Sequence, residues 1–247
     1  MIGPLALHGG GEFLAGDETF LGTLLALAAV ATAGRDAAAE TVRVELLTSA
    51  VARHRPDMAF AVGSASFERV AAEARPELPP IRVRHARVVD AASAADPDLV
   101  ERLATADLVY LPGGDPDAVL EILAGTAAWH AVERARLRGA LVAGASAGAM
   151  ALGERTWTPD GYVAGFGWAG RLVVAPHASE ARIASTRAAV VTLPRGAELT
   201  VLGLPERCGV VGRPGAWTVV GDAGAWWWPA HAAAPRHEPQ GSVILEP

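Results

Sequence analysis

The stretch Leu141-Val142-Ala143-Gly144-Ala145-Ser146-Ala147-Gly148-Ala149-Met150 constrains this chain more than any other. Small apolar residues run directly into Gly144-Ala145-Ser146-Ala147-Gly148, a G-x-S-x-G pattern. That pattern fits a buried strand turning sharply into a helix, with Ser146 held at the tip in a strained backbone conformation. Glycines two residues either side leave no side chain to clash where strand and helix come close. The helix that follows aims free N–H groups and its positive dipole end at the serine, which suits a developing oxyanion. An Ala/Gly-rich chain also produces G-x-S-x-G by accident, as a tight turn with an idle serine, so the rest of the chain has to supply the serine's partners.

Elsewhere the chain alternates strand and helix signals. Ile2–Leu7 is a short apolar run that ends in His8-Gly9-Gly10-Gly11-Glu12, a strand followed by a glycine-rich turn. A helix is expected after Asp17 as N-cap, through Leu24, Leu25 and Leu27 to a stop at Gly34. Val42–Leu47 reads as the next strand, Met58–Ala74 as a helix ended by Pro76, and Ile81–Val89 as a strand with one wetter face. Asp96-Pro97 is an N-cap and N1 pair for a helix through Leu103. Leu108–Leu111 is a buried strand meeting Pro112-Gly113-Gly114-Asp115, with helices around Ala118–Leu123 and Trp129–Leu137 and a stop at Gly139. Up to Met150 this predicts a mostly parallel sheet with helices on both faces, its active groups beyond the carboxyl ends of the strands.

After Met150 the pattern changes. Thr156–Gly170 reads as a hairpin or loop, Leu172–Ala175 as a strand ending at Pro176-His177, and Glu180–Leu193 as a helix. Short runs at Thr200–Leu204, Cys208–Val211, Trp217–Val220 and Ala225–Trp228 predict an antiparallel C-terminal extension of the same sheet. The expectation is one α/β domain over 1–247, three-layered, with 230–247 a loose tail. A hydrophobic fraction of 51% and a charged fraction of 19% are ample for its core.

A serine hydroxyl needs a base, and the base needs an acid to orient it. His54 and His85 sit among arginines in expected exposed positions, and His130 lies on a helix beside Trp129. His8 follows the first strand, which is expected further along the sheet from the elbow. His177 follows a strand and precedes a helix, which places it at the sheet edge of Ser146. Glu206, after the Thr200–Leu204 strand, is the favoured acid; Asp222 reads as a turn aspartate and Glu180 as a helix cap. The order Ser146, His177, Glu206 differs from the Ser, Asp/Glu, His order of an α/β-hydrolase, which would need Asp222 with His231 or His237.

These residues resemble the serine peptidases typified by cyanophycinase and aspartyl dipeptidase, a family with a class I glutamine amidotransferase-like fold. Gly9-Gly10-Gly11-Glu12 is similar to its opening glycine turn, Tyr110-Leu111-Pro112-Gly113-Gly114-Asp115 to its middle motif, and Gly144–Ala149 to its nucleophile motif. Pro176-His177 resembles the catalytic histidine segment, and Gly203-Leu204-Pro205-Glu206 the segment that carries the acid. Pro116 stands where the family often has Gln, Ala178 where an aromatic is common, and Pro205 in place of an acidic residue; Arg182 and Arg187 are out of step with the expected arginines. The resemblance implies a serine hydrolase that cleaves a peptide or isopeptide bond of the aspartyl or β-aspartyl type, exopeptidase-like, through an acyl-enzyme. Ser146, His177 and Glu206 would be catalytic, the backbone N–H groups of Gly114 and Ala147 the oxyanion hole, and Asp115, Glu12 and Arg182 substrate contacts.

A silent binding or scaffold domain of the same fold, or an esterase-like α/β-hydrolase, are the competing readings. An amidotransferase proper would want a cysteine at the elbow, and Cys208, the only one, lies elsewhere. A lone cysteine also fits a reducing compartment, and Met1–Leu5 lacks the positive flank of a signal peptide, so a cytoplasmic location is expected. A net charge of −6 with dispersed basic residues gives no reason to expect nucleic acid or membrane as partners. No metal-ligand spacing or dinucleotide signature stands out, so no cofactor and no metal are expected. Arg53, Arg55, Arg155 and Arg182 are candidates for holding a substrate carboxylate. Trp157, Trp168 and Trp226–Trp228 could line a specificity wall, with core packing or a homodimer surface as the other reading of the run.

Overall fold

The computed structural model describes residues 2–35, 41–74 and 78–245. In chain order the first half comprises β1 (Leu5–His8), α1 (Glu18–Arg35), β2 (Val42–Leu47), α2 (Pro56–Glu73), β3 (Ile81–Ala86), α3 (Ala91–Ala94), α4 (Pro97–Ala104), β4 (Leu108–Leu111), α5 (Pro116–Leu123), α6 (Ala127–Leu137), β5 (Leu141–Ala145) and α7 (Ala147–Leu152). Then come β6 (Arg155–Thr158), β7 (Gly161–Ala164), β8 (Leu172–Pro176), α8 (Glu180–Val190), β9 (Thr200–Leu204), β10 (Gly209–Arg213), β11 (Ala216–Val220), β12 (Ala225–Trp228), β13 (Arg236–Glu238) and β14 (Val243–Leu245). Pro76, expected to end α2, lies outside the described residues.

Eight strands form the central sheet in the order β14-β11-β10-β1-β5-β4-β2-β3. From β1 to β3 every pairing is parallel, while β10, β11 and β14 add antiparallel strands beyond β1. The period-2 alternation of strand side chains divides the core in two. Leu5, Leu7, Val109, Leu111 and Val142 pack with Val119, Leu123 and Val132 of α5 and α6. Ala6, Val44, Leu46, Tyr110 and Ala143 face the opposite way, onto Phe20, Leu24 and Leu25 of α1 and Phe67 and Val70 of α2. Helices on both faces make the predicted three-layer α/β arrangement. No described helix is long and apolar enough to cross a membrane.

Helix boundaries follow local chemistry. Asp96 accepts from the N–H groups of Asp98 and Leu99 to cap α4, with Pro97 at its first position. Thr126 caps α6 through the Trp129 N–H. Pro56 opens α2 two residues ahead of the sequence expectation, and β3 stops at Ala86, because Asp90 and Ser93 build a reciprocal capping box for α3.

Three expectations need correcting. The C-terminal strands do not all extend one sheet: β8, β9, β12 and β13 form a second sheet in the order β13-β12-β9-β8. Its one face packs Leu172, Val174, Leu202 and Trp227 into the core shared with α7, and its other face packs Val173, Ala175 and Val201 against Ile183 and Val190 of α8. The segment expected as a loose tail is paired, since β13 hydrogen-bonds β12 and β14 closes the edge of the central sheet with Ile244 buried. Finally, His85 is half-buried rather than exposed, stacked on Phe60 at 4.6 Å and 2.8 Å from Thr48 Oγ1 through Nε2.

Candidate active site

Ser146 sits between β5 and α7 with φ 45° and ψ −106°, a backbone conformation that residues other than glycine rarely adopt and that costs about 1–3 kcal/mol. Close packing holds it there. A β-carbon on Gly144 would come within 2.5 Å of the Gly148 carbonyl, and one on Gly148 within 2.4 Å of the Leu111 carbonyl oxygen. The glycines of the pattern are therefore needed for strand–helix approach, as their spacing implied.

His177 and Glu206 reach the serine from the second sheet. β8 and β9 pair in parallel with Pro176 opposite Leu204, so the residues that follow the two strands emerge side by side. His177 Nε2 lies 3.1 Å from Ser146 Oγ, and His177 Nδ1 lies 3.0 Å from Glu206 Oε1. An ionised carboxylate can only accept, so Nδ1 carries the ring proton and Nε2 presents its lone pair to the serine hydroxyl, which donates. The side chains of His177 and Glu206 are 43% and 51% exposed, leaving the line of groups open to an incoming molecule.

The turn Gly9–Gly11 after β1 ties the two sheets together. His177 N–H donates to the Gly9 carbonyl at 2.8 Å and Arg207 N–H to the Gly10 carbonyl at 2.8 Å, while Ser146 N–H donates to the His8 carbonyl at 2.9 Å. A β-carbon on Gly9 would meet the Pro205 carbonyl oxygen at 2.0 Å, and one on Gly11 would meet the Glu206 side chain at 3.2 Å. The sequence showed this turn but not what it holds. It also misplaced His8, whose strand is the immediate neighbour of β5 with His8 opposite Ala145. The His8 ring points away from the serine into the core, 4.4 Å from Phe20 by centroid. Its Nε2 lies 3.0 Å from Asp17 Oδ1, close but not aligned for a hydrogen bond.

On the other flank, Gly113 N–H donates to Glu12 Oε1 at 2.6 Å, and Gly114 follows with φ 148°. Asp115 N–H donates to the Ala50 carbonyl at 2.7 Å, which fixes the Gly113-Gly114 turn from the 3-10 turn Thr48–Val51. Neither the Gly114 N–H nor the Ala147 N–H makes a hydrogen bond among the described residues. The Asp115 carboxylate is 3.0 Å from His54 Nε2, so it is directed to a neighbouring histidine rather than to the serine.

Arg182 lines a cavity of about 260 Å³ together with Trp157, Tyr162, Met150 and Pro176, the last adjacent to His177. Among the other candidate cations, Arg53 is engaged by Asp117 and Glu121, and Arg55 lies against Met58 Sδ at 4.0 Å. Trp168 stacks on Trp129 at 4.3 Å and Trp227 is buried, so both serve packing. The alternative pairing of Asp222 with a C-terminal histidine is not formed: His237 Nε2 meets the Ala223 carbonyl oxygen at 2.9 Å. Cys208 is buried, and burial pushes its thiol above the ordinary value, which disfavours a thiolate nucleophile. Among the described residues no cluster of three or more His, Cys, Asp or Glu is placed to hold a metal.

The sequence pattern of peptidase family S51 matches residues 30–210, a span that includes Ser146, His177 and Glu206. The fold is similar to the crystal structure of a peptidase from an acI-B1 Actinobacterium, with a TM-score of 0.78 and 23% identity, covering 100% of this chain and 98% of that one. It is also similar to a putative peptidase E protein from Listeria monocytogenes EGD-e, with a TM-score of 0.56 and 13% identity over 89% of this chain and 98% of that one. No curated protein matches the sequence.

Proposed function

The chain belongs to peptidase family S51 and is a serine-type peptidase, and from that premise we propose that it hydrolyses a peptide or isopeptide bond next to a carboxylate-bearing residue, with Ser146, His177 and Glu206 as a catalytic triad. The observation that carries this reading is the continuous line from Ser146 Oγ to His177 Nε2 at 3.1 Å and from His177 Nδ1 to Glu206 Oε1 at 3.0 Å.

Ser146 Oγ attacks the scissile carbonyl carbon as its proton passes to His177 Nε2. Glu206 holds the ring in the required tautomer and stabilises the imidazolium. The negative charge that develops on the carbonyl oxygen is met by the Gly114 and Ala147 N–H groups, and one such donor is worth ~10²–10³ in turnover. His177 then gives its proton to the leaving amine nitrogen as the C–N bond breaks, which leaves an ester on Ser146. Water, deprotonated by His177, attacks the ester; the acid departs and Ser146 recovers its proton. The free Gly114 and Ala147 N–H groups support this assignment, and α7 adds its positive end at the same place.

The Arg182 cavity favours a carboxylate on the substrate, with Trp157 and Tyr162 as its walls. This supports the aspartyl or β-aspartyl class implied by the sequence resemblance. An active-serine fluorophosphonate probe with intact-mass analysis tests the reading, alongside a panel of aspartyl dipeptides and β-aspartyl-arginine. One adduct per chain, lost in Ser146→Ala, and cleavage of at least one panel member are expected. A folded protein that neither labels nor cleaves would point to the silent-domain reading instead.

A further inference from the structure

A second cavity, of about 410 Å³, opens on the Glu12 side of Ser146. Its lining is largely apolar, with Phe13, Val51, Met58 and Val62 the main contributors. Resting on the hydrolase reading above, we propose that it is a subsite for an apolar substrate side chain, carried by the residue across the scissile bond from the carboxylate-bearing one.

Three features lead to this. The cavity is separated from the nucleophile by bare backbone: Gly113 is in its wall, and a β-carbon there would stand 3.2 Å from Ser146 Cβ and 2.7 Å from Glu12 Oε1. A substrate whose carbonyl lies at Ser146 thus has an adjoining side chain within reach of the opening. One wall is held in place, because Phe13 packs on Tyr110 at 5.3 Å and on Phe67 at 6.1 Å between ring centroids. Met58 and Val62, on successive turns of α2, remain 53% and 48% exposed, apolar surface that a substrate side chain would remove from water.

The two cavities differ in chemistry. The one beside His177 carries the Arg182 cation and two aromatic rings, and the one beside Gly113 is mostly hydrocarbon, with Glu12, His54 and Arg55 as its polar lining. Leu, Met or Phe placed in the second meets matching surface at Phe13, Val51, Met58 and Val62, which Gly would leave exposed to water. Discrimination of this kind by an apolar pocket is worth ~10–200-fold.

The test is a set of dipeptides that join aspartate to Gly, Leu, Phe, Lys or Glu, in both orders, with kcat/KM measured for each. In one of the two orders Leu or Phe is expected to exceed Gly by ~10-fold or more. Val62→Asp, at a half-exposed helix position and checked for folding by its thermal melt, brings the Leu-to-Gly ratio towards one. A ratio near one in the unmodified protein, or a ratio that Val62→Asp leaves untouched, overturns the subsite. Fluorophosphonate labelling separates the two levels. If Ser146 labels and the ratios are flat, or no dipeptide is cleaved, the subsite alone fails; if Ser146 does not label, the subsite falls with the hydrolase reading.

Discussion

Gly10 stands against the ring of His177, so that a β-carbon on it would lie 2.3 Å from Cε1 and 2.8 Å from Nε2. The first glycine turn is thus the seat of the imidazole, although more than 160 residues separate the two in sequence. Gly10 also has φ 108°, where an alanine is strained. Gly10→Ala is expected to lower kcat/KM by ~10² or more, because a ring displaced by about 1 Å no longer meets the serine hydroxyl. The accompanying backbone cost is about 1 kcal/mol or somewhat more, a loss of several degrees in the melting temperature. A thermal melt and kcat/KM on the same preparation separate the two effects.

Glu12 acts one step back from the reacting atoms. Its Oε1 accepts the Gly113 N–H and so holds the turn that presents the Gly114 N–H. Glu12→Gln keeps an acceptor at that position, and Glu12→Ala removes it. The alanine variant is expected to lose up to ~10² in kcat, with the glutamine variant close to the unmodified protein. Equal losses in both would show that the carboxylate charge, and not the hydrogen bond, is what matters.

Asp107 predicts an acid limb to stability. It is fully buried, and burial alone would raise its carboxyl. The Arg43 guanidinium and backbone N–H, both at 2.9 Å, outweigh burial together with Arg35 and hold it below the ordinary value. A carboxyl lowered on folding contributes stability that is complete above its unfolded value of about 3.9 and is lost as pH falls through the folded value. The difference in urea midpoint between the unmodified protein and Asp107→Asn is therefore expected to be largest near neutral pH and to shrink below about pH 4. A difference that does not change with pH would contradict this.

What the sequence made legible was local. The glycines around Ser146 are set by contacts within the strand–helix turn, and the Asp96-Pro97 start of α4 by its own first turn. That His177 and Glu206 lie at the edge of Ser146 is legible because each follows a strand, a pattern that holds whichever sheet the strand joins. The division of strands between two sheets was not legible, since short apolar runs such as Thr200–Leu204 and Trp217–Val220 look alike until their partners are known. The same gap placed His8 far from the elbow, when β1 and β5 are neighbours. The bond from Gly113 to Glu12 and the seating of His177 on Gly10 join distant segments, and no spacing rule marks them. The last strand, Val243–Leu245, is three residues long, too short for its alternation to stand out from a polar tail.

The central claim is that His177 activates Ser146 and that Glu206 supports it. The rate of fluorophosphonate adduct formation on Ser146, followed by intact mass in the unmodified protein, His177→Ala and Glu206→Ala, tests it most directly. The geometry predicts a fall of ~10²–10⁴ for His177→Ala and a clear, smaller fall for Glu206→Ala, with both variants folded. Labelling at an undiminished rate in His177→Ala, or labelling that instead depends on Asp222 and His237, would contradict it.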